Sequence, residues 1–262
     1  MTYLYFHLVF IFPVFVVIAF LRRMEKPLEI PGRKWGIAII ALIALVYTTP
    51  WDNYLVSSKI WEYGEGRVLE SLIIGYVPIE EYLFFILQPI MTGCFLLLYL
   101  ERNPQSMDVL SKPLERGKVA WFGAAIYLSL FVFGVICLVS LGPHYRYLGL
   151  ILAWASPVLA FQWGYGGGTL WKLRKPFIGA VRAPTIYLWV VDLIAIEWRI
   201  WHILPETSTG CKLITLPIEE AIFFLVTNLL VVQGLLLFYQ LTVNLKAKLQ
   251  KRHQAPMAAE SI

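Results

Sequence analysis

Seven long apolar stretches alternate with short polar segments along the chain. Each stretch approaches the roughly 20 apolar residues that a helix needs to cross a hydrocarbon core of about 30 Å. The pattern therefore predicts an all-α, polytopic membrane protein with seven transmembrane helices. The predicted spans are residues 4–21, 35–50, 78–100, 119–141, 147–164, 184–201 and 217–241.

The first, second and sixth predicted spans differ from the others. The second and sixth are short and carry polar residues near one end, so we expect kinks, burial or shifted ends there. The first is too long for a signal peptide, lacks a basic start, and is followed by Arg22 and Arg23 rather than a small-residue cleavage site. We expect it to be retained as an anchor.

The composition agrees with a membrane protein. Hydrophobic residues make up 59% of the 262 residues and charged residues 15%, with a mean hydropathy of +0.68, well above the apolar share of a soluble domain. The three cysteines, Cys94, Cys137 and Cys211, have no paired spacing, so neither a disulfide framework nor a metal site is predicted.

The glycine-rich segment 164–170, GYGGGTL, invites comparison with a nucleotide-binding loop. It lacks the full GxGxxG pattern and a preceding strand, so we expect a flexible cytoplasmic turn. We expect no flavin, nicotinamide or metal cofactor.

The basic residues follow the loops in alternation. Of the 22 Lys and Arg residues, 17 lie in the segments 22–34, 101–118, 165–183 and 242–262. By the positive-inside rule these segments face the cytoplasm. This predicts a cell-membrane protein with its N-terminus outside and its C-terminal tail, 242–262, in the cytoplasm. Topology thus explains the net charge of +5 without a nucleic-acid partner.

An internal repeat divides the chain. The segment PIEEYLFF at 78–85 returns as PIEEAIFF at 217–224, and Asp52 and Asp192 are each followed nine residues later by a tryptophan. We predict two homologous three-helix units, 1–103 and 145–241, joined by a connector, 104–144, that contains the fourth span. Both units enter the membrane from the same side, and such parallel repeats place sites at the interface of the halves.

Each motif puts a proline and two glutamates in the first turn of a helix, at the positive end of the helix dipole. One such motif alone is typical of helix capping at the water interface. Its duplication brings up to four carboxylates to one membrane level, where burial and repulsion keep one protonated and another ionised. Asp52 and Asp192 add acids on the same outer side. The predicted catalytic candidates are Glu80, Glu81, Glu219, Glu220, Asp52 and Asp192.

Adjacent helical residues diverge by about 100°, so the two glutamates of a motif cannot both face one substrate, and the spacing does not choose between them. Aromatic residues cluster near the acids. Such rings often belong to the membrane-interface belt, but they also stabilise cations through their π faces. The predicted substrate-binding residues are Trp51, Trp61, Phe84, Phe85, Trp201, Phe223 and Phe224.

At the two PIEE motifs the chain resembles the integral-membrane lycopene cyclases, in which two subunits or two fused domains each carry PxE(E/D). The resemblance covers roughly residues 1–100 and 145–241, in the fused, single-chain form. It implies that lycopene or another acyclic carotenoid is protonated at a terminal double bond, cyclised and deprotonated to a β-ionone ring, giving γ-carotene or β-carotene without a cofactor. The family pattern fixes the first glutamate more tightly, which ranks Glu80 and Glu219 as leading candidates.

The sequence leaves alternatives open, among them another membrane isoprenoid enzyme. A carotenoid hydratase would share the first protonation and then capture the cation with water. A proton-coupled transporter or pigment-binding protein would also place carboxylates between parallel repeats. A retinal-binding pump is disfavoured because the last predicted span contains no lysine. Membrane lipid and other carotenoid-biosynthesis enzymes are the further partners expected.

Overall fold

Seven long helices form the protein in the computed structural model, which describes residues 1–259, with side chains described to residue 250. All seven are long and apolar enough to cross a membrane, so the predicted all-α, multi-pass architecture is confirmed. Their bounds are α1 Tyr3–Arg23, α2 Arg33–Ser57, α3 Ile79–Glu101, α4 Gly117–Val139, α5 Arg146–Lys172, α6 Arg174–Glu197 and α7 Ile218–Ala259. The predicted tail therefore begins as a continuation of α7, and its last three residues lie outside the described part.

The predicted ends of the second and sixth spans are wrong. Helix α2 continues through Pro50 to Ser57, and α6 begins ten residues before Pro184 and ends at Glu197. Both prolines lie inside their helices, which membrane helices tolerate because neighbouring groups satisfy the freed carbonyl. Asp52 and Asp192 consequently lie within helices, in the last two turns.

The glycine-rich segment 164–170 is not a turn. It belongs to α5, which runs helically to Lys172 with one non-helical residue, Gly166, at φ −144° and ψ 27°. A side chain there would collide with Leu237 of α7, since an added Cβ would lie 2.3 Å from the Leu237 Cδ2 atom. The glycine thus permits close packing of α5 on α7.

Helices α3 and α7 occupy the centre of the bundle. Helix α3 contacts α1, α2, α6 and α7, and α7 contacts α5, α6, α2 and α3. The two sets correspond if α1, α2 and α3 are exchanged with α5, α6 and α7. Helix α4 packs on the outside against α5, where Gly134 would bring a Cβ atom within 2.9 Å of the Ala153 nitrogen.

Helices α2 and α6 end in the same way. Lys59 and Arg199 each take a left-handed φ of 53°, and the N–H groups of Ile60 and Ile200 donate to carbonyls five residues earlier. This six-to-one bond is the Schellman C-cap. It turns each chain directly into a short strand.

The two strands pair with each other and join the halves of the molecule. Strand β1, Trp61–Tyr63, pairs antiparallel with β4, Trp201–Ile203. Two small hairpins lead into the central helices: β2 Ile73–Ile74 with β3 Val77–Pro78 before α3, and β5 Lys212–Leu213 with β6 Leu216–Pro217 before α7.

Candidate active site

The two PIEE motifs lie where the hairpins meet α3 and α7. Pro78 is the extended N-cap of α3, at φ −73° and ψ 156°, rather than a residue of its first turn. The glutamates of both motifs lie in the first helical turn, as predicted. All four side chains are buried.

The first glutamate of each motif points to a loop. The Glu80 carboxylate accepts the backbone N–H of Leu69 at 2.9 Å. Glu219 accepts both the N–H and the hydroxyl of Thr209, each at 2.7 Å. These bonds fasten the segment between strand and hairpin to the start of each central helix. We call Glu80 and Glu219 the outer glutamates.

The second glutamate of each motif points inward. Tyr63 donates its hydroxyl to Glu81 at 3.3 Å, and Tyr3 lies beside the same carboxyl. Tyr147 donates its hydroxyl to Glu220 at 2.7 Å. We call Glu81 and Glu220 the inner glutamates.

Tyr63 lies outside the membrane-spanning segments, at the mouth of this site. Burial raises the pKa of its phenol well above the usual value, and the nearby carboxyl of Glu81 raises it further. The phenol therefore stays protonated as a hydrogen-bond donor to Glu81.

The two aspartates lie beside the inner glutamates. Asp52 and Asp192 are each 1% exposed, and each is close enough for its charge to interact with those of Glu81 and Glu220. The indole N–H of Trp201 donates to Asp192 at 2.9 Å. The equivalent indole N–H of Trp61 has no partner among the described residues. The four carboxyls form one cluster, which we call the inner carboxyls.

A small cavity of about 20 Å³ opens onto this cluster. The predicted site residues that line this cavity are three acids and five aromatic residues. They are Glu81, Glu220 and Asp192, and Trp61, Trp201, Phe84, Phe223 and Phe224. Its polar groups face an otherwise apolar space, which suits an apolar substrate that reacts with acids.

The remaining predicted residues lie around this cavity rather than in its lining. Phe85 lines a second cavity of about 100 Å³, which shares Phe84 and Phe223 with the first. Trp51 stacks on Phe223, with ring centroids 5.7 Å apart. The outer glutamates are not part of either lining.

Tyr147, the hydroxyl donor to Glu220, and Tyr3, beside Glu81, are absent from the sequence predictions. A signal for both exists in the sequence. Tyr3-Leu4 precedes Pro13-Val14 at the same interval that separates Tyr147-Leu148 from Pro157-Val158. The repeat thus extends into α1 and α5, but its offset there differs from that of the PIEE motifs.

Among the described residues, no group of three or more His, Cys, Asp and Glu side chains is placed to hold a metal ion. Three of the inner carboxyls accept hydrogen bonds: Glu81 and Glu220 from phenol hydroxyls, and Asp192 from an indole N–H. This arrangement suits the transfer of protons between carboxyls.

Comparison with known proteins identifies the family. The chain is 41% identical over 207 residues to the lycopene beta-cyclase of Halobacterium salinarum, covering 79% of this chain and 83% of that protein. It is 38% identical to the bifunctional lycopene cyclase/phytoene synthase of Aspergillus niger, over 76% of this chain and 34% of that one. The Gibberella fujikuroi bifunctional protein is 37% identical over 88% of this chain and 39% of its own.

No solved structure matches the chain. The profile described as lycopene cyclase matches residues 2–99 and 144–238, which cover well over half of the chain and contain all the inner carboxyls. Together with the relatives, this match shows that the chain belongs to the lycopene cyclase family.

Proposed function

We propose that the protein is a lycopene β-cyclase that converts the acyclic ends of lycopene to β-ionone rings by acid and base chemistry at the inner carboxyls. The observation that carries the proposal is the burial of four interacting carboxyls, three of which line one aromatic-walled cavity. Acids start and finish such a cyclisation, and the rings hold the cation between the two steps. The name of the Halobacterium relative agrees with this reaction.

The reaction needs one proton delivered and one removed. A protonated inner carboxyl gives its proton to the terminal double bond, which leaves a carbocation and a carboxylate. The neighbouring double bond attacks the cation and closes the ring. A second inner carboxyl, ionised, then removes a ring proton, and the electron pair of the broken C–H bond forms the ring double bond. No atom is gained or lost.

The proton ends on a different carboxyl from the one where it began. The cluster must therefore return it before the next turnover. Asp52 and Asp192 interact with both inner glutamates, so they provide a path for this return. In this proposal Glu81 and Glu220 carry the proton transfers, and Asp52 and Asp192 position and recharge them.

The outer glutamates have a different task in this proposal. Their bonds to Leu69 and Thr209 hold the loops over the site. The resemblance ranks Glu80 and Glu219 first, whereas their contacts favour a structural role. That ranking stays a prediction, which glutamine variants of all four residues decide.

The aromatic lining limits the fate of the cation. Phe84 and Phe224 meet edge to face with centroids 6.2 Å apart, and Trp61 and Trp201 line the same cavity. A ring face attracts a cation by about 0.5 to 2 kcal/mol, and the packed rings leave little room for water. These features favour ring closure over hydration.

We further propose that residues 1–103 and 145–241 are duplicated units joined by 104–144, because the matching helix contacts relate them as the sequence repeat does. The distribution of Lys and Arg supports a cytoplasmic C-terminus and an N-terminus outside the cell. The inner carboxyls would then lie on the outer side of the membrane. Interaction with membrane lipid and with other carotenoid-biosynthesis enzymes stays a prediction.

The function is tested with membranes that contain the protein and lycopene, incubated in D₂O, followed by chromatography and mass spectrometry. We expect γ-carotene and β-carotene with up to one deuterium retained per ring, the fraction being set by exchange of the carboxyl protons with D₂O between turnovers. Hydroxylated acyclic products would favour a hydratase instead. Unchanged lycopene, with well-folded protein in the membrane, would overturn the proposal.

A further inference from the structure

We infer that the groove between α2 and α5 is the port through which one end of the acyclic polyene passes from the bilayer to the inner carboxyls. The rest of the polyene stays in the lipid. This inference rests on the proposed function. It assigns a substrate path to the larger of the two cavities described above.

The groove reaches from the membrane-facing surface to the inner cavity. Ile43 of α2 lines it and is 53% exposed. At its inner end, Phe84 and Phe223 line both cavities. These two rings are therefore the partition between a volume of about 100 Å³ and one of about 20 Å³. The inner volume holds little more than a water molecule, so an isoprenoid end enters only when the rings move.

The wall of the groove is a continuous stack of rings. Tyr47 stacks on Trp154 at 5.3 Å, Trp154 on Trp51 at 4.6 Å, and Trp51 on Phe223 at 5.7 Å. Adjacent ring planes in this stack differ by 8° to 19°. The stacked rings cover much of one another's faces, so they present a continuous row of apolar edges along which a conjugated chain packs. The stack thus leads a polyene from the lipid-facing Tyr47 to the cavity-lining Phe223.

The equivalent face between α6 and α1 has a different chemistry. Tyr47 donates its hydroxyl to the backbone carbonyl of Trp154 on α5. In the other half, Tyr187 donates in the same way to the carbonyl of Phe10 on α1. The repeat places Phe10 where α5 has Trp154, and Val191 where α2 has Trp51. The paired indoles belong to the α2 and α5 side, which is why we assign the port there.

The port between α2 and α5 admits one end of the polyene at a time to the inner carboxyls. The two ends of a long polyene cannot reach the same carboxyls at once. The substrate must leave after the first ring forms and return with its other end. The product with one ring is therefore released to the membrane before the product with two rings is made.

The test narrows the groove with a large side chain. Ala44→Trp places an indole in the groove, and Val158→Phe narrows it from the α5 wall. Ala38→Trp makes the same change as the first variant, on the exposed face of α2, and is the matched control. We expect the two groove variants to lower lycopene turnover at low substrate density by about tenfold or more, because access to the productive geometry is lost, while Ala38→Trp matches the parent.

Protein amount and monodispersity in detergent are measured for every variant, and Val158→Phe decides the result if Ala44→Trp does not fold. A folded groove variant that turns over lycopene as fast as the parent would show that the groove is not the port. Inactivity of the parent itself would instead overturn the proposed function. A time course supplies the second readout: γ-carotene should accumulate in the membrane in excess of the protein before most β-carotene appears, and β-carotene formed without any free γ-carotene would contradict release.

Discussion

The outer and inner glutamates are neighbours in sequence yet differ in every contact. Glu80 and Glu219 accept backbone N–H groups of loops, whereas Glu81 and Glu220 accept tyrosine hydroxyls beside a shared cavity. The helical rotation of about 100° per residue separates them. One short motif thus carries two tasks: the first acid holds the loop, and the second faces the substrate.

The comparison also shows why the motif needs both acids. A loop that closes the outer end of the site needs an anchor at the helix start, where backbone N–H groups and the helix dipole already stabilise a carboxylate. The next residue then enters the bundle at a fixed height. Duplication repeats this geometry from the other half, which brings Glu81 and Glu220 to one cavity.

Among the residues that support the inner glutamates, the largest effect is expected at the aspartates of the inner cluster. Asp192→Asn and Asp52→Asn remove a carboxyl that exchanges protons with both inner glutamates, so turnover should fall by about a hundredfold, within the usual range for acid and base groups. The turnover of each variant is measured as the rate of lycopene conversion in isolated membranes. Glu197→Gln, an exposed acid of the same helix as Asp192, is the control and should match the parent. Equal effects at Asp192 and Glu197 would contradict the cluster.

A smaller effect is expected at the tyrosines beside the inner glutamates. Tyr147→Phe removes a hydrogen bond to Glu220, worth about 1.5 to 3 kcal/mol when that carboxyl is ionised, so turnover should fall by roughly ten- to a hundredfold. Tyr3→Phe removes the phenol hydroxyl beside Glu81 and should lower turnover in the same direction. Tyr5→Phe, at an exposed position of α1, should have no effect. Full activity of both inner variants would show that the phenols do not set the state of the glutamates.

The halves themselves differ at the two tryptophans. Trp201→Phe removes the donor to Asp192, whereas Trp61→Phe removes an indole N–H that has no partner among the described residues. Both variants lose similar ring area in the cavity. We expect Trp201→Phe to lower turnover by about threefold to tenfold relative to Trp61→Phe, since one hydrogen bond to the Asp192 carboxyl is lost. The reverse order would contradict the assigned bond.

The smallest effect on catalysis, and the clearest on stability, is expected at the outer glutamates. Glu219→Ala leaves the N–H and hydroxyl of Thr209 without their acceptor, at a cost of about 1 to 3 kcal/mol. Glu219→Gln keeps an acceptor oxygen. A thermal unfolding assay in detergent should therefore give a lower Tm for the alanine variant than for the glutamine variant. Equal Tm values would remove the loop-holding role.

Much of the fold follows from the hydrophobic pattern alone, because a bilayer demands long apolar helices. The ends of α2 and α6 did not follow, since polar Asp52 and Asp192 lie inside helices that tertiary contacts bury. Segment 164–170 resembles a turn in composition, yet packing of α5 against α7 keeps it helical.

The site was predictable in kind but not in detail. The duplicated PIEE motif points to clustered carboxyls, because identical helix starts in packed halves lie at one level. Which glutamate faces inward depends on the direction of the preceding hairpin, which no periodicity encodes. Tyr3 and Tyr147 come from helices whose repeat offset is shifted from that of the motif, so spacing counted from the glutamates does not find them.

Four single variants, Glu80→Gln, Glu219→Gln, Glu81→Gln and Glu220→Gln, separate the two tasks within one experiment. Glutamine keeps an acceptor for a loop N–H but cannot exchange a proton. Each variant is expressed in cells that accumulate lycopene, and its pigments are quantified against the protein present in the membrane. We expect the outer variants to keep most of the parental β-carotene and γ-carotene, and the inner variants to lose about a hundredfold or more. Inactive outer variants together with active inner variants would contradict the assignment of proton transfer to Glu81 and Glu220.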